Sequence, residues 1–144
     1  MFVKQLSVFV ENKKGRLAAI LAALSAKNVD ICALSLADTT DFGILRVIVD
    51  KPDVAQQVLR EEGVISKAAD VLAVVMDDTP GSLAEILRFL SSKDISVEYM
   101  YAFTGKNDDK AVVVMKVNDL LEAEKILSEN GIAVIHAENL YRKV

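Results

Sequence analysis

Apolar and polar residues alternate from the start of the chain. Leu6, Val8 and Val10 fall on one side of an extended segment, and Gln5, Ser7 and Phe9 on the other. A period of two predicts a strand. The period then lengthens. Leu17, Ile20, Leu21 and Leu24 stand at i, i+3, i+4 and i+7, the apolar stripe of an amphipathic helix. Asn28-Val29-Asp30 breaks that helix. Residues 31–36 predict a second strand, the polar stretch 37–41 a hairpin loop, and 44–49 a third strand. A second helix is expected over 52–62, with Gly63 as its left-handed cap and a last strand over 64–67.

The same pattern then returns. Gly15, Leu17, Ala18, Ile20 and Leu21 meet Gly81, Leu83, Ala84, Ile86 and Leu87 at one fixed offset. The register continues through Leu24/Leu90, Ser25/Ser91, Lys27/Lys93 and Ile31/Val97. An insertion near 106–109 then lengthens the offset by two residues, so that Asp50 meets Asn118 and Gly63 meets Gly131. The second copy predicts strands over 71–76, 97–103, 111–117 and 132–138. Its helices carry the stripe Leu83, Ile86, Leu87 and Leu90 and the segment 120–130, with Gly131 as cap. Asn12 and Asp78 stand where a side chain can accept from helix-start N–H groups. Pro80 presets the turn before the second copy's first helix.

So ordered a series of matches makes the chain two units, 1–69 and 70–144, with no Gly/Ser/Pro-rich linker between them. Each reads βαββαβ. Right-handed crossovers put both helices on one face of an antiparallel four-stranded sheet. The fold class is therefore α+β, two ferredoxin-like units. Such a fold hosts many functions and names none of them.

Composition narrows the choice. The 144 residues are 52% hydrophobic, slightly above the roughly 45–50% of ordinary domains. That is too apolar for disorder, yet no run approaches the roughly 18 residues of a membrane span. Two small units, each with an uncovered sheet face, explain the excess if they pack on copies of themselves, and a homodimer is expected. The net charge is −4, which argues against a nucleic-acid surface. The third strands carry none of the aromatics with which this fold binds RNA. One Cys (Cys32) and one His (His136) provide no Cys-x-x-Cys metal site, no metal cluster and no nucleophile–base pair, so no enzyme and no cofactor are expected. No charged leader precedes an apolar core at the N-terminus, which makes the cytoplasm the expected location.

The segment Asp78-Thr79-Pro80-Gly81-Ser82-Leu83-Ala84-Glu85-Ile86, completed by Asp94-Ile95-Ser96-Val97, resembles the signature of ACT domains, small βαββαβ regulatory modules that bind amino acids. The first unit keeps Gly15 and Leu17 but has Lys14 in place of the proline. The resemblance runs over nearly the whole chain, as in stand-alone tandem ACT proteins. It implies a non-catalytic protein that binds a free amino acid at the junction between ACT units. Such a protein signals to an enzyme or regulator of amino-acid metabolism. The other reading is a structural or partner-binding ACT module that has lost its ligand.

The resemblance also implies where the ligand would sit: against the helix-start turn of one unit and the second strand of another. On this chain those positions are Asn12, Gly15, Arg16, Leu17 and Ile31, then Asp78, Pro80, Gly81, Ser82, Leu83 and Val97. Glycine lets the backbone approach a ligand, and free N–H groups at a helix start attract a carboxylate. Asp78, Asn12, Asp30 and Asp94 are candidates to hold the ammonium group. Each position also has a plainer reading. The glycines suit a tight turn without a ligand, Asp78 and Asn12 a helix cap, and Arg16 a solvated first turn. Tyr99, Tyr101 and Phe103 share a strand face and suit packing between units. Pairing along the second strands would bring Ser35, Tyr99 and Tyr101 near the junction.

Overall fold

The computed structural model describes residues 1–38, 41–103 and 109–140. The chain divides into two compact units: Lys4–Ala69, and Asp70–Val144 together with Met1–Val3. The first is built from β1 (Val3–Glu11), α1 (Arg16–Ala26), β2 (Ile31–Asp38), β3 (Phe42–Val49) and α2 (Pro52–Glu61). The second uses β4 (Ser66–Asp77), α3 (Ser82–Ser91), β5 (Val97–Ala102), β6 (Lys110–Val117), α4 (Leu120–Glu129), β7 (Val134–Ile135) and α5 (Ala137–Leu140). Residues 104–108, which take in most of the insertion expected near 106–109, lie outside the described residues.

In the first unit β3 lies between β2 and β1, antiparallel to both. In the second, β6 lies between β5 and β4, and β7 pairs with the far side of β4. The predicted stripes become the cores. Leu6, Val8 and Val10 pack with Ile20, Leu24, Leu45, Val47 and Leu59, with Leu17 and Leu21 against them. Leu72, Val74 and Met76 pack with Ile86, Leu90, Met115 and Leu127, with Leu83 and Leu87 against them. Both cores are α+β layers in which helices cover one sheet face.

The repeat extends to individual hydrogen bonds. Helix α1 ends with Asn28 at φ 58°, where Val29 N–H donates to Leu24 O (3.1 Å) and Asn28 N–H to Ser25 O (2.9 Å). At the end of α3, Asp94 takes φ 60°, Ile95 N–H donates to Leu90 O (3.0 Å), and Asp94 N–H to Ser91 O (3.2 Å). These are paired Schellman closures, which satisfy the last helix carbonyls. Gly63 (φ 70°) and Gly131 (φ 74°) close α2 and α4 the same way. Phe9 N–H donates to Ile65 O (3.0 Å) just as Val75 N–H donates to Ala133 O (2.9 Å).

Two last-strand expectations need correction. At 64–67 only Ser66 and Lys67 are strand, and they belong to the 12-residue β4, which runs on to Asp77. The segment 132–138 shortens to Val134–Ile135. Ala137 N–H donates to Met1 O (2.9 Å), and His136 O accepts from both Asn139 and Leu140 N–H. The chain thus turns into α5, burying Ala137 and Leu140. His136 is fixed at the corner, its Nε2 at 2.5 Å from Glu124 Oε2 and its ring edge-on to Phe2.

Candidate functional site

Each strand-to-helix turn passes through a left-handed glycine. Gly15 (φ 81°) and Gly81 (φ 90°) are the residues that begin α1 and α3, and neither helix start has a side-chain cap. The capping expected of Asn12 and Asp78 is therefore not made. Their backbones instead tie the turn to the neighbouring hairpin, with Asn12 N–H to Asp41 O (3.3 Å) and Asp78 N–H to Asp109 O (2.8 Å). A side chain three residues ahead of the left-handed glycine lies outside the capping position. Lys14, in place of proline, leaves the turn intact: Arg16 N–H donates to Lys13 O (3.1 Å), as Ser82 N–H does to Thr79 O (3.3 Å).

The first intrahelical bonds run from Ala19 N–H to Gly15 O and from Glu85 N–H to Gly81 O, both 3.0 Å. Among the described residues nothing accepts from the N–H groups of Leu17 and Ala18, or of Leu83 and Ala84. Apart from the glycine and its two chain neighbours, no heavy atom of the described residues lies within 4 Å of where a Cβ on Gly15 or Gly81 would stand. Each turn thus presents free N–H donors at the positive end of a helix, beside open space, an arrangement suited to a carboxylate. Asn12, Asp78 and Pro80 are exposed around the turns, while Arg16 and Ser82 are half-buried. Ser82 Oγ lies 2.8 Å from Thr79 Oγ1. Leu17 and Leu83 point inward and pack against the two cores.

Ile31 and Val97 stand at the other end of their helices, half-buried at the start of β2 and β5. An 11-residue helix is about 16 Å long, so neither unit by itself joins its turn to its own second strand. Both residues sit at a register shift, between Ile31 and Ala33 and between Val97 and Tyr99. Bulges of this kind re-aim side chains. They are braced identically: Asp50 Oδ1 accepts from Asp30 N–H (2.8 Å), and Asn118 Oδ1 accepts from Ser96 N–H (2.9 Å). Sequence reasoning missed this brace, although the alignment of Asp50 with Asn118 carried its signal. Asp30 and Asp94 lie beside these braces, a helix length from the turns. Tyr99, Tyr101 and Phe103 are all half-buried, while Met100 and Ala102 between them are exposed, so the three aromatics do share a face.

Cys32 lies in the first of the two bulges. Burial, then the charges of Asp30 and Asp50, push its thiol up to about 11. Against an ordinary 9.0, the native chain at pH 8 holds roughly a hundredfold less thiolate. Higher intrinsic nucleophilicity returns part of that, which leaves alkylation about tenfold slower than in the unfolded chain. Iodoacetamide labelling in buffer and in urea measures the ratio, and equal rates would contradict the shielded thiol.

A cavity of about 250 Å³ opens beside α3, lined in part by Ser82, Glu85, Ile86, Phe89, Lys110 and Ile132. Of the expected ligand positions it takes in Ser82 alone. Val97 instead lines an open hollow of about 480 Å³ with Leu87, Ser91, Asp94, Ile95 and Ser96. Among the described residues, no three His, Cys, Asp or Glu side chains cluster as a metal site, and no helix is long and apolar enough to cross a membrane.

A family model described as an ACT domain pair matches residues 1–144. A crystal structure of a protein from Bacteroides thetaiotaomicron is similar over 99% of this chain and 97% of its own, at 37% identity and TM-score 0.91. The ligand-free regulatory subunit of aspartate kinase from Thermus thermophilus is similar over 89% of this chain and 91% of its own, at 13% identity and TM-score 0.66. The same subunit from Thermus flavus is similar over 89% and 90%, at 14% identity and TM-score 0.65. A search of curated protein sequences finds no match.

Proposed function

Because the chain belongs to the ACT domain-pair family, we propose that it is a non-catalytic regulatory protein that binds a free amino acid. The ligand's carboxylate is received at a helix-start turn, between ACT units, and the bound state is read by an enzyme or regulator of amino-acid metabolism. The units are 1–69 and 70–144, the working form is a homodimer, and the location is the cytoplasm. One observation carries the reading: both turns pair a left-handed glycine with unclaimed N–H donors and open space. That geometry suits an α-carboxylate whichever amino acid bears it.

Asn12 and Asp78 stand exposed at the turns, within the loop where an ammonium group would need an acceptor. Arg16 and Ser82 hold matching positions with different chemistry, so the two sites are expected to differ in affinity. A ligand acts as a signal by binding one arrangement of the protein more tightly than another. The regulatory subunits of aspartate kinase share the fold, which supports a regulatory role without naming a partner.

Thermal melting with each of the standard amino acids tests the proposal. A rise in melting temperature with one amino acid or a chemically related few is the expected result. No rise with any of them at millimolar concentration overturns it, in favour of an ACT module that only binds a partner.

A further inference from the structure

In each unit, the backbone just ahead of the second strand is held from the end of the third. In the first unit Asp50 Oδ1 accepts from Asp30 N–H (2.8 Å), and Asp50 N–H donates to Asp30 O (3.1 Å). Lys51 Nζ donates to Asn28 O (2.7 Å). In the second unit Asn118 Oδ1 accepts from Ser96 N–H (2.9 Å), and Asn118 N–H donates to Ser96 O (3.3 Å). The residue after it is Asp119, which as a carboxylate only accepts and caps α4 instead. Asn118 Nδ2 itself reaches Asp94 O, at 3.5 Å.

Two different sets of side chains thus hold the same three backbone groups. Helix closure does not require them, because Val29 and Ile95 already bond back to Leu24 O and Leu90 O. The held residues lie directly before Ile31 and Val97, where the register shifts interrupt the ladder. We propose that Asp50 and Asn118 are positioning residues for amino-acid binding, on the reading that the ligand meets the second strand. Each sets the backbone at Ile31 or Val97 before the ligand arrives, which spares the cost of ordering it on binding. The feature common to both units is an oxygen that accepts from the N–H ahead of the strand. The charge of Asp50 is not required, because Asn118 lacks it.

Cys32, in the first bulge, reports on this clasp without any ligand. Asp50→Ala and Asp50→Asn both remove a negative charge that acts on the thiol, but only asparagine keeps the accepting oxygen. Iodoacetamide should therefore modify Asp50→Ala faster than Asp50→Asn. Calorimetric titration with each of the standard amino acids, well below the melting temperature, reads binding. An amino acid that binds the wild type should bind Asp50→Ala/Asn118→Ala about threefold or more weakly, the scale of one hydrogen bond. Asp50→Asn should bind it as the wild type does. Unchanged affinity in the double alanine variant, even with a lowered melting temperature, overturns the positioning role and leaves the amino-acid reading standing. Equal alkylation of Asp50→Ala and Asp50→Asn overturns the clasp itself. A wild-type protein that binds none of the amino acids overturns the role together with the reading on which it rests.

Discussion

Leu24→Ala should destabilise the protein by about 2–5 kcal/mol, and Leu90→Ala by a similar amount. Both leucines are 1% exposed, and each lies at the end of an apolar stripe over its sheet. Each also belongs to a helix closure, since the residue that bonds back to its carbonyl, Val29 or Ile95, is itself buried in the same core. Truncation therefore opens a cavity where a backbone-fixed turn limits collapse, which favours the upper part of the range. Ala22→Ser, exposed on the outer face of α1, is the control and should cost about half a kcal/mol or less. Urea unfolding followed by far-UV circular dichroism gives the values. A loss below about 1 kcal/mol at Leu24 would mean that the site relaxes freely, contrary to the packing described.

The fold was legible because both of its signals are local. A stripe such as Leu83, Ile86, Leu87 and Leu90 is set by helix pitch, and Gly63 and Gly131 announce left-handed caps through their missing Cβ. The second copy then served as a check on the first. Elements that depend on distant residues were not legible. Helix α5 forms where Ala137 bonds to Met1 and His136 meets Phe2 and Glu124, groups spread over most of the chain. The bulges at Cys32 and Glu98 depend on strand register, and alternation alone cannot place an extra residue.

Of the candidate site, the glycine turns were visible because only glycine readily takes φ near 80–90°. The capping roles of Asn12 and Asp78 were misread, because residue type was legible and the length of the turn was not.

Gly81→Asp should abolish the ligand-induced rise in melting temperature, if the second turn receives the carboxylate as proposed. At a ligand concentration of 100 times Kd the wild-type protein gains about 2.7 kcal/mol, and the variant should gain none. Two effects act together. An aspartate side chain fills the open space beside Gly81 and sets a negative charge against the incoming carboxylate. It also forces an L-residue to φ 90°, which costs roughly 1–2 kcal/mol. Gly81→Ala separates them, because it carries the backbone cost without the charge. The alanine variant should melt lower than wild type yet keep most of its ligand response, whereas the aspartate variant should lose it. Gly15→Asp applies the same test to the first turn, where Arg16 offsets the added charge, so a weaker effect is expected there. A full ligand response in both aspartate variants would place the carboxylate away from either turn and remove the basis of the proposed mechanism.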